Sequence, residues 1–255
     1  MKITLVQFSP IWAAPAANRD RLKQLFAQVP PTDLIVLPEM FSTGFVTSPQ
    51  GMAEKDGESL IFMKETAAAH QCAVAGSLAV ETEGTYRNRF YFVYPDGTEV
   101  HYDKHHLFTY GSEHRHYTAG DRPVVVRFRG VGILLQVCYD LRFPVFGRNR
   151  LLPDGSALYD LALYVSSWPE SRMDAWDTLL PARAIENQCF VAGVNRVGTD
   201  PENQYSGHTA LFGPKGQLLT KCKENTQETV SFEMDIPELL AFRNQFPVLQ
   251  DADNQ

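Results

Sequence analysis

The chain has 255 residues, 44% of them hydrophobic and 21% charged, a balance that supports one large core and excludes a wholly disordered or collagen-like chain. At this length roughly three quarters of the extended chain's surface leaves water on folding. Thirty acidic residues against 23 basic ones give a net charge of −7, which argues against a nucleic-acid or anionic-membrane partner, since either needs a basic face.

Apolar runs and amphipathic stretches alternate from one end to the other. Residues 2–8 read as a strand. This segment loosely mimics a secretion signal, but Gln7, Ser9 and Pro10 interrupt its apolar run, so no targeting peptide is expected. Residues 18–29 put Leu22, Leu25 and Phe26 on one helix face. Residues 33–37, DLIVL, form a short strand of the kind buried on both sides. A second helix is expected over 58–70, then strands over 73–80 and 89–94 joined through Glu83 and Gly84. The PDG turn at 95–97 leads into 99–102. Residues 124–128 and 131–137 pair around Arg129 and Gly130. Residues 143–152 read as helical. A strand over 161–165, a helix over 173–188 and a strand over 190–195 follow. A hairpin joins 208–212 to 217–220 through GPKG. Residues 230–234 are the last strand and 237–246 the last helix, with Pro237 in its first turn.

No repeat, linker or composition shift divides the chain, so residues 1–255 are read as one domain. No apolar run reaches 18 residues, so no membrane span is expected. Helix-separated strands mixed with hairpins predict a mixed sheet or two sheets with helices outside.

In open α/β sheets ligands bind beyond the carboxyl ends of strands. The apolar run LIVLP ends at Glu39 and EVHYD ends at Lys104. ILLQV ends at Cys138, followed by Tyr139 and Asp140. ALYVSS ends at Trp168, and FVAGV at Asn195 and Arg196. A carboxylate, an ammonium and a thiol at strand ends are the parts of covalent acyl chemistry. Charged residues end strands in any α/β protein, so the pattern by itself leaves a structural role open.

Of the four cysteines, Cys72 and Cys189 adjoin apolar strands and read as core residues. Cys222, in KCKEN, is expected near the surface. Cys138 differs, because the polar segment YDLR follows it directly. The four are widely spaced with no C-x-x-C, which predicts reduced thiols in a cytoplasmic protein. His101, His105, His106, His114 and His116 lack metal-site spacing, so no metal is expected. His208 is expected to hydrogen-bond within a strand or line a pocket. No phosphate-binding glycine loop and no G-x-S-x-G elbow occurs.

Four segments, LPEMFSTGF (37–45), YDKHHLF (102–108), SEHRHYTAGD (112–121) and VCYDLRFP (137–144), stand in an order that resembles the carbon-nitrogen hydrolase (nitrilase) superfamily. RAIENQ (183–188), GVNRVG (193–198) and the GPKG hairpin extend the resemblance to essentially the whole chain. CYDLRF is similar to the amidase branches, and together with LPEMFSTGF most similar to the omega-amidases, which hydrolyse the terminal amide of 2-oxoglutaramate or 2-oxosuccinamate to the dicarboxylate and ammonia. Ala119 departs from the pattern, since many relatives carry proline there.

The resemblance implies a four-layer αββα sandwich of two mixed β-sheets with outer helices. It implies a homodimer packed through helices beside the site, and no cofactor. It makes Cys138 the nucleophile and Glu39 the general base and acid. Lys104 becomes the oxyanion partner together with the backbone N–H of Tyr139, and Glu113 the second carboxylate. Lys104 is expected to stabilise a thiolate at Cys138. A 2-oxo acid amide also needs a cation for its remote carboxylate; Arg148 and Arg196 are the candidates. Phe41, Phe45, Phe143 and Trp168 are candidate pocket walls, and His208 a candidate substrate contact. The alternatives are an aliphatic amidase or N-carbamoyl hydrolase on the same scaffold, or a catalytically silent binding protein of that fold.

Overall fold

Short runs that are apolar at every position demand burial on both faces, and the computed structural model, which describes residues 1–55 and 57–253, meets that demand with two stacked sheets. The first sheet runs in the order Glu228–Glu233 (β14), Lys2–Gln7 (β1), Leu34–Val36 (β2), Ala73–Thr82 (β3), Thr85–Val93 (β4) and Glu99–Asp103 (β5). The second runs Leu218–Lys221 (β13), Ala210–Phe212 (β12), Phe190–Asn195 (β9), Leu161–Ser166 (β8), Val131–Val137 (β7) and Val124–Phe128 (β6). Each has a parallel centre, β1-β2-β3 and β7-β8-β9, flanked by antiparallel strands. Both sheets are therefore mixed.

Alternation along each strand divides its side chains between two cores. Leu34 and Val36 face the second sheet, where Ile133, Leu135, Leu161 and Leu163 meet them. Ile35 and Leu37 face the other way, onto Leu22 and Phe26 of the helix Pro15–Phe26 (α1) and Phe62 and Met63 of Glu58–His70 (α2). On the second sheet Leu134, Ala162 and Tyr164 pack on Trp176, Leu180 and Ala184 of Met173–Asn187 (α3). The layers are helix, sheet, sheet, helix. Gly193 on β9 permits the last contact, because a Cβ there would lie 2.4 Å from Leu180 Cδ1 and 2.7 Å from Trp176 Cζ2. A fourth helix, Ile236–Gln245 (α4), starts from Asp235, whose carboxylate accepts the Glu238 N–H as an N-cap.

The expected helix over 143–152 is absent; a turn over 144–147 and irregular backbone occupy it, with Leu151 bridged to Ala157. Pro144 and Pro153 bracket the segment, and Asn149 diverts its backbone bonds. The Asn149 N–H donates to Asn187 Oδ1 at 2.8 Å, and its side-chain amide donates to the carbonyls of Tyr159 and Asn187. Side-chain partners have replaced the i−4 carbonyls a helix would use. The β3–β4 hairpin is tighter than expected, closing through Glu83 and Gly84 at φ 52° and 71°, the left-handed pair of a two-residue turn. A small ribbon, Val197–Thr199 (β10) with Gln204–Ser206 (β11), was not anticipated. Cys222 is buried, not near the surface.

Candidate active site

The carboxyl ends of the two parallel centres face each other, and that is where the chemically versatile residues meet. Glu39 follows β2 by three residues. Lys104 follows β5 directly, its N–H donating to the Asn88 carbonyl at 2.9 Å. Glu113 opens a 3-10 turn over Glu113–Arg115. Cys138 follows β7 directly and opens another, Cys138–Arg142, with its own φ at 46°. A non-glycine residue in the left-handed region is sustained only where its surroundings over-determine it.

Asp140 supplies that restraint. Its buried carboxylate accepts the Val137 N–H at 2.9 Å, the Tyr102 hydroxyl at 2.8 Å and the His106 N–H at 3.0 Å, and His106 Nδ1 lies 2.8 Å away. Arg183 Nη2 donates to the Leu141 carbonyl at 2.6 Å. The thiol is thus turned out of β7 toward the sheet end and held there.

Lys104 Nζ lies 3.0 Å from Glu39 Oε1 and 2.9 Å from Glu113 Oε2, with all three side chains fully buried. The two carboxylates differ in what is left over. Each carboxylate oxygen has two acceptor sites. Glu113 Oε1 takes Lys104 and Asn88, and its Oε2 takes Lys104 and the Phe108 N–H. Glu113 is saturated. Glu39 Oε1 takes Lys104 and Asn88, but its Oε2 takes only the Ser167 N–H, at 2.8 Å. One acceptor site remains, on Glu39 Oε2.

Burial pushes the Glu39 carboxyl above its ordinary value; Lys104 opposes this and Glu113 adds to it. For Lys104 burial acts downward, but Glu113 and Glu39 outweigh it and hold the ammonium charged. Burial also drives the Cys138 thiol up, the Glu39 charge pushes the same way, and Lys104 only partly offsets them. Lys104 acts on the thiol in the expected direction, favouring the thiolate, but burial and the Glu39 charge outweigh it, so the proton is harder to remove than from an ordinary cysteine.

Cys138 opens on a cavity of about 300 Å³ whose walls include Phe45, Tyr139, Ser167 and Trp168. Two guanidinium groups also line it. Arg142 lies 4.9 Å over the Trp168 ring, and Arg172 lies 5.2 Å over Phe108 and 5.9 Å over Tyr110. The cavity therefore joins a thiol to two arginines, and Asp200 and Glu202 also lie on its lining.

The sequence profile of the carbon-nitrogen hydrolase family matches residues 2–244. The chain belongs to the carbon-nitrogen hydrolase family. This hydrolase is 43% identical over 256 residues to the omega-amidase YafV of Escherichia coli strain K12, covering 99% of this chain and 97% of that protein. It is 33% identical over 254 residues to a 2-oxoglutaramate amidase of Bacillus subtilis, covering 98% and 96%. The crystal structure of the CN-hydrolase superfamily protein XC1258 from Xanthomonas campestris, with an arsenic adduct in its active site, superposes with a TM-score of 0.97 at 41% identity, covering 100% of this chain and 98% of that one.

Within this carbon-nitrogen hydrolase Glu39, Lys104 and Glu113 come into contact, with Cys138 close enough for their charges to move its thiol. Phe45 and Trp168 line the cavity as expected of walls. Phe41 does not; it is fully buried on the outer face of the first sheet against Phe62. Phe143 stacks on His106 at 4.0 Å, behind Tyr139. Arg148 lies on a separate surface depression beside Val145 and Phe146, away from the thiol. Arg196 is buried behind the cavity wall, stacked 4.3 Å from the Tyr205 ring and donating to the carbonyls of Val197 and Thr199. His208 pairs with Asp177 at 2.9 Å outside the cavity. The cations that do face the cavity, Arg142 and Arg172, were missed. Arg142 belongs to VCYDLRFP, four residues after the cysteine, where the 3-10 turn brings it to the cavity that Cys138 lines. Arg172 carried no sequence signal.

Proposed function

We propose that this carbon-nitrogen hydrolase is an omega-amidase that splits the terminal amide of 2-oxoglutaramate or 2-oxosuccinamate through a thioester on Cys138. The observation that carries the reading is one cavity lined by the thiol and two arginines, backed by a buried carboxylate with one free acceptor site. Arg142 and Arg172 are the cations for the carboxylate and 2-oxo group at the far end of the substrate.

In this reading Glu39 Oε2 takes the thiol proton as Sγ attacks the amide carbon. The oxyanion is met by the Lys104 ammonium and the Tyr139 N–H, which lies in the first turn after β7 and has no acceptor within that turn. Each such donor lowers the barrier by roughly 3–4 kcal/mol. Glu39 passes the proton to the leaving nitrogen, the C–N bond breaks, and ammonia departs. A water gives its proton to Glu39 and attacks the thioester. The carboxylate product leaves and Cys138 recovers its proton. Glu113, already saturated, keeps Lys104 charged and placed.

The same reading includes a homodimer, supported by apolar side chains exposed at Val145 and Ile185, and a cytoplasmic setting, suited to four unpaired thiols and to the lack, among the described residues, of a helix long and apolar enough to cross a membrane. Residues 1–255 act as one domain in it.

Steady-state ammonia release on 2-oxoglutaramate, 2-oxosuccinamate, glutamine and a neutral aliphatic amide tests the proposal. The 2-oxo acid amides are expected to lead in kcat/KM by about 100-fold or more, the worth of a charged contact or two. A neutral amide turned over as well as they are would reassign the enzyme to the aliphatic amidases.

A further inference from the structure

We propose that Asn88 is a positioning residue that decides which oxygen of Glu39 receives the Cys138 proton; this rests on the amidase reading above. Asn88 lies on β4 and is 1% exposed. Its Nδ2 donates to Glu39 Oε1 at 2.8 Å and to Glu113 Oε1 at 3.1 Å. Its carbonyl accepts the Lys104 N–H at 2.9 Å. A single residue therefore touches three members of the buried group.

The orientation of the amide follows from chemistry. Two carboxylates only accept, so Asn88 must turn its NH₂ toward them. Its Oδ1 is then buried with no hydrogen-bond partner among the described residues. An orphaned buried acceptor destabilises the fold, and a leucine of similar shape would avoid it. Packing does not account for the residue; the NH₂ group does.

That group closes one acceptor site on each carboxylate. With it in place Glu113 is saturated, and the free site on Glu39 is confined to Oε2. Without it, Glu39 Oε1 and Glu113 Oε1 both turn toward the vacated point, each short of a donor. Two facing carboxylates of this kind capture a proton between them. A proton held there leaves Glu39 neutral and unable to act as base.

No neighbour replaces the lost donor. Lys104 already serves both carboxylates. The Tyr117 hydroxyl donates to the Val46 carbonyl at 2.6 Å and the Tyr205 hydroxyl to Asp200 at 2.5 Å. Arg87 and Arg89 alternate to the opposite face of β4, where both meet Asp103. The remaining titratable neighbour is Cys138 itself.

The test compares wild type with Asn88→Leu and Asn88→Asp, reading the pH profile of kcat/KM on 2-oxoglutaramate and the rate of Cys138 alkylation by iodoacetamide. Asn88→Leu is expected to keep KM within about threefold, to lose about 10- to 100-fold in kcat at neutral pH, within the range a misplaced base costs, and to move the acidic limb to higher pH. Asn88→Asp, which adds a third carboxyl, is expected to move that limb further. If Asn88→Leu fails to fold, Asn88→Asp decides on the same readings. Folded variants with the wild-type limb and kcat, or a loss confined to KM, overturn the proposal. The alkylation arm reads Asn88 even without turnover. Wild type that hydrolyses no amide, or a Cys138→Ala variant that keeps its rate, instead overturns the amidase reading.

Discussion

The backbone N–H of Ser167 donates to Glu39 Oε2 at 2.8 Å, joining residues 128 positions apart and the ends of two different sheets. Through this bond the second sheet, which carries Cys138, aims a carboxylate that the first sheet supplies. The bond occupies one of the two acceptor sites of Glu39 Oε2 and leaves the other open. The expected effect of Glu39→Gln follows: kcat falls about 100- to 10,000-fold, as for loss of a general base, while KM changes little. Steady-state kinetics on the amide substrate check this, and a kcat within a few-fold of wild type would remove Glu39 from the proton path.

The titration directions set the pH dependence. Glu39 is raised above its ordinary value by burial first. Its ionised form, the proposed base, is therefore lost at higher pH than for an exposed glutamate, and kcat/KM is expected to fall as pH drops through that raised value. Cys138 is also raised. Alkylation of the free enzyme by iodoacetamide is expected to keep accelerating above pH 9, where an ordinary thiol levels off. A plateau below pH 8 would mean a stabilised thiolate and contradict the assignment.

Arg142 is the cavity-lining cation nearest in sequence to Cys138, the proposed nucleophile, four residues on and stacked over Trp168. Replacing it with alanine removes a charge-assisted contact of about 1.5–3 kcal/mol. KM for 2-oxoglutaramate is expected to rise about 10- to 100-fold, with the rate on a neutral amide nearly unchanged. Equal losses on both substrates would show that Arg142 serves the wall rather than the substrate. Arg148→Ala, on a different face, is the matched control and is expected to leave both rates intact.

Asp140 carries a structural load. Asp140→Ala strips the buried donors of Val137, Tyr102 and His106 of their acceptor. Stability is expected to fall by about 3 kcal/mol, the sum of a few orphaned groups, and activity with it as the Cys138 turn relaxes. Urea unfolding measures the first. An unchanged midpoint would mean the turn is held by Arg183 alone.

Sequence periodicity made most strands legible because the sheet centres are buried on both faces, so that DLIVL and its counterparts are apolar at every position. The segment 143–152 misled because Asn149, through side-chain bonds to residues 10 and 38 positions away, ties it to distant carbonyls in a way that local sequence does not signal. Glu39, Lys104 and Cys138 stood out as strand-ending polar residues, and Glu113 through its motif. Asn88 did not, since it falls just before the strand expected over 89–94, in what reads as a polar connection, whereas the structure starts that strand at Thr85 and buries Asn88. Phe41 and Arg148 were misplaced for the opposite reason: nearness in sequence to a motif does not fix which face a side chain takes. Phe41 points to the outer core although Phe45, four residues on, reaches the cavity.

Hydroxylamine competes with water for a thioester, so the direct measurement is the product of 2-oxoglutaramate turnover in its presence. Wild type is expected to release ammonia and to divide the acyl group between the dicarboxylate and its hydroxamate, and Cys138→Ala to yield neither. Ammonia release without hydroxamate at any hydroxylamine concentration, or an undiminished rate in Cys138→Ala, would contradict covalent catalysis at Cys138.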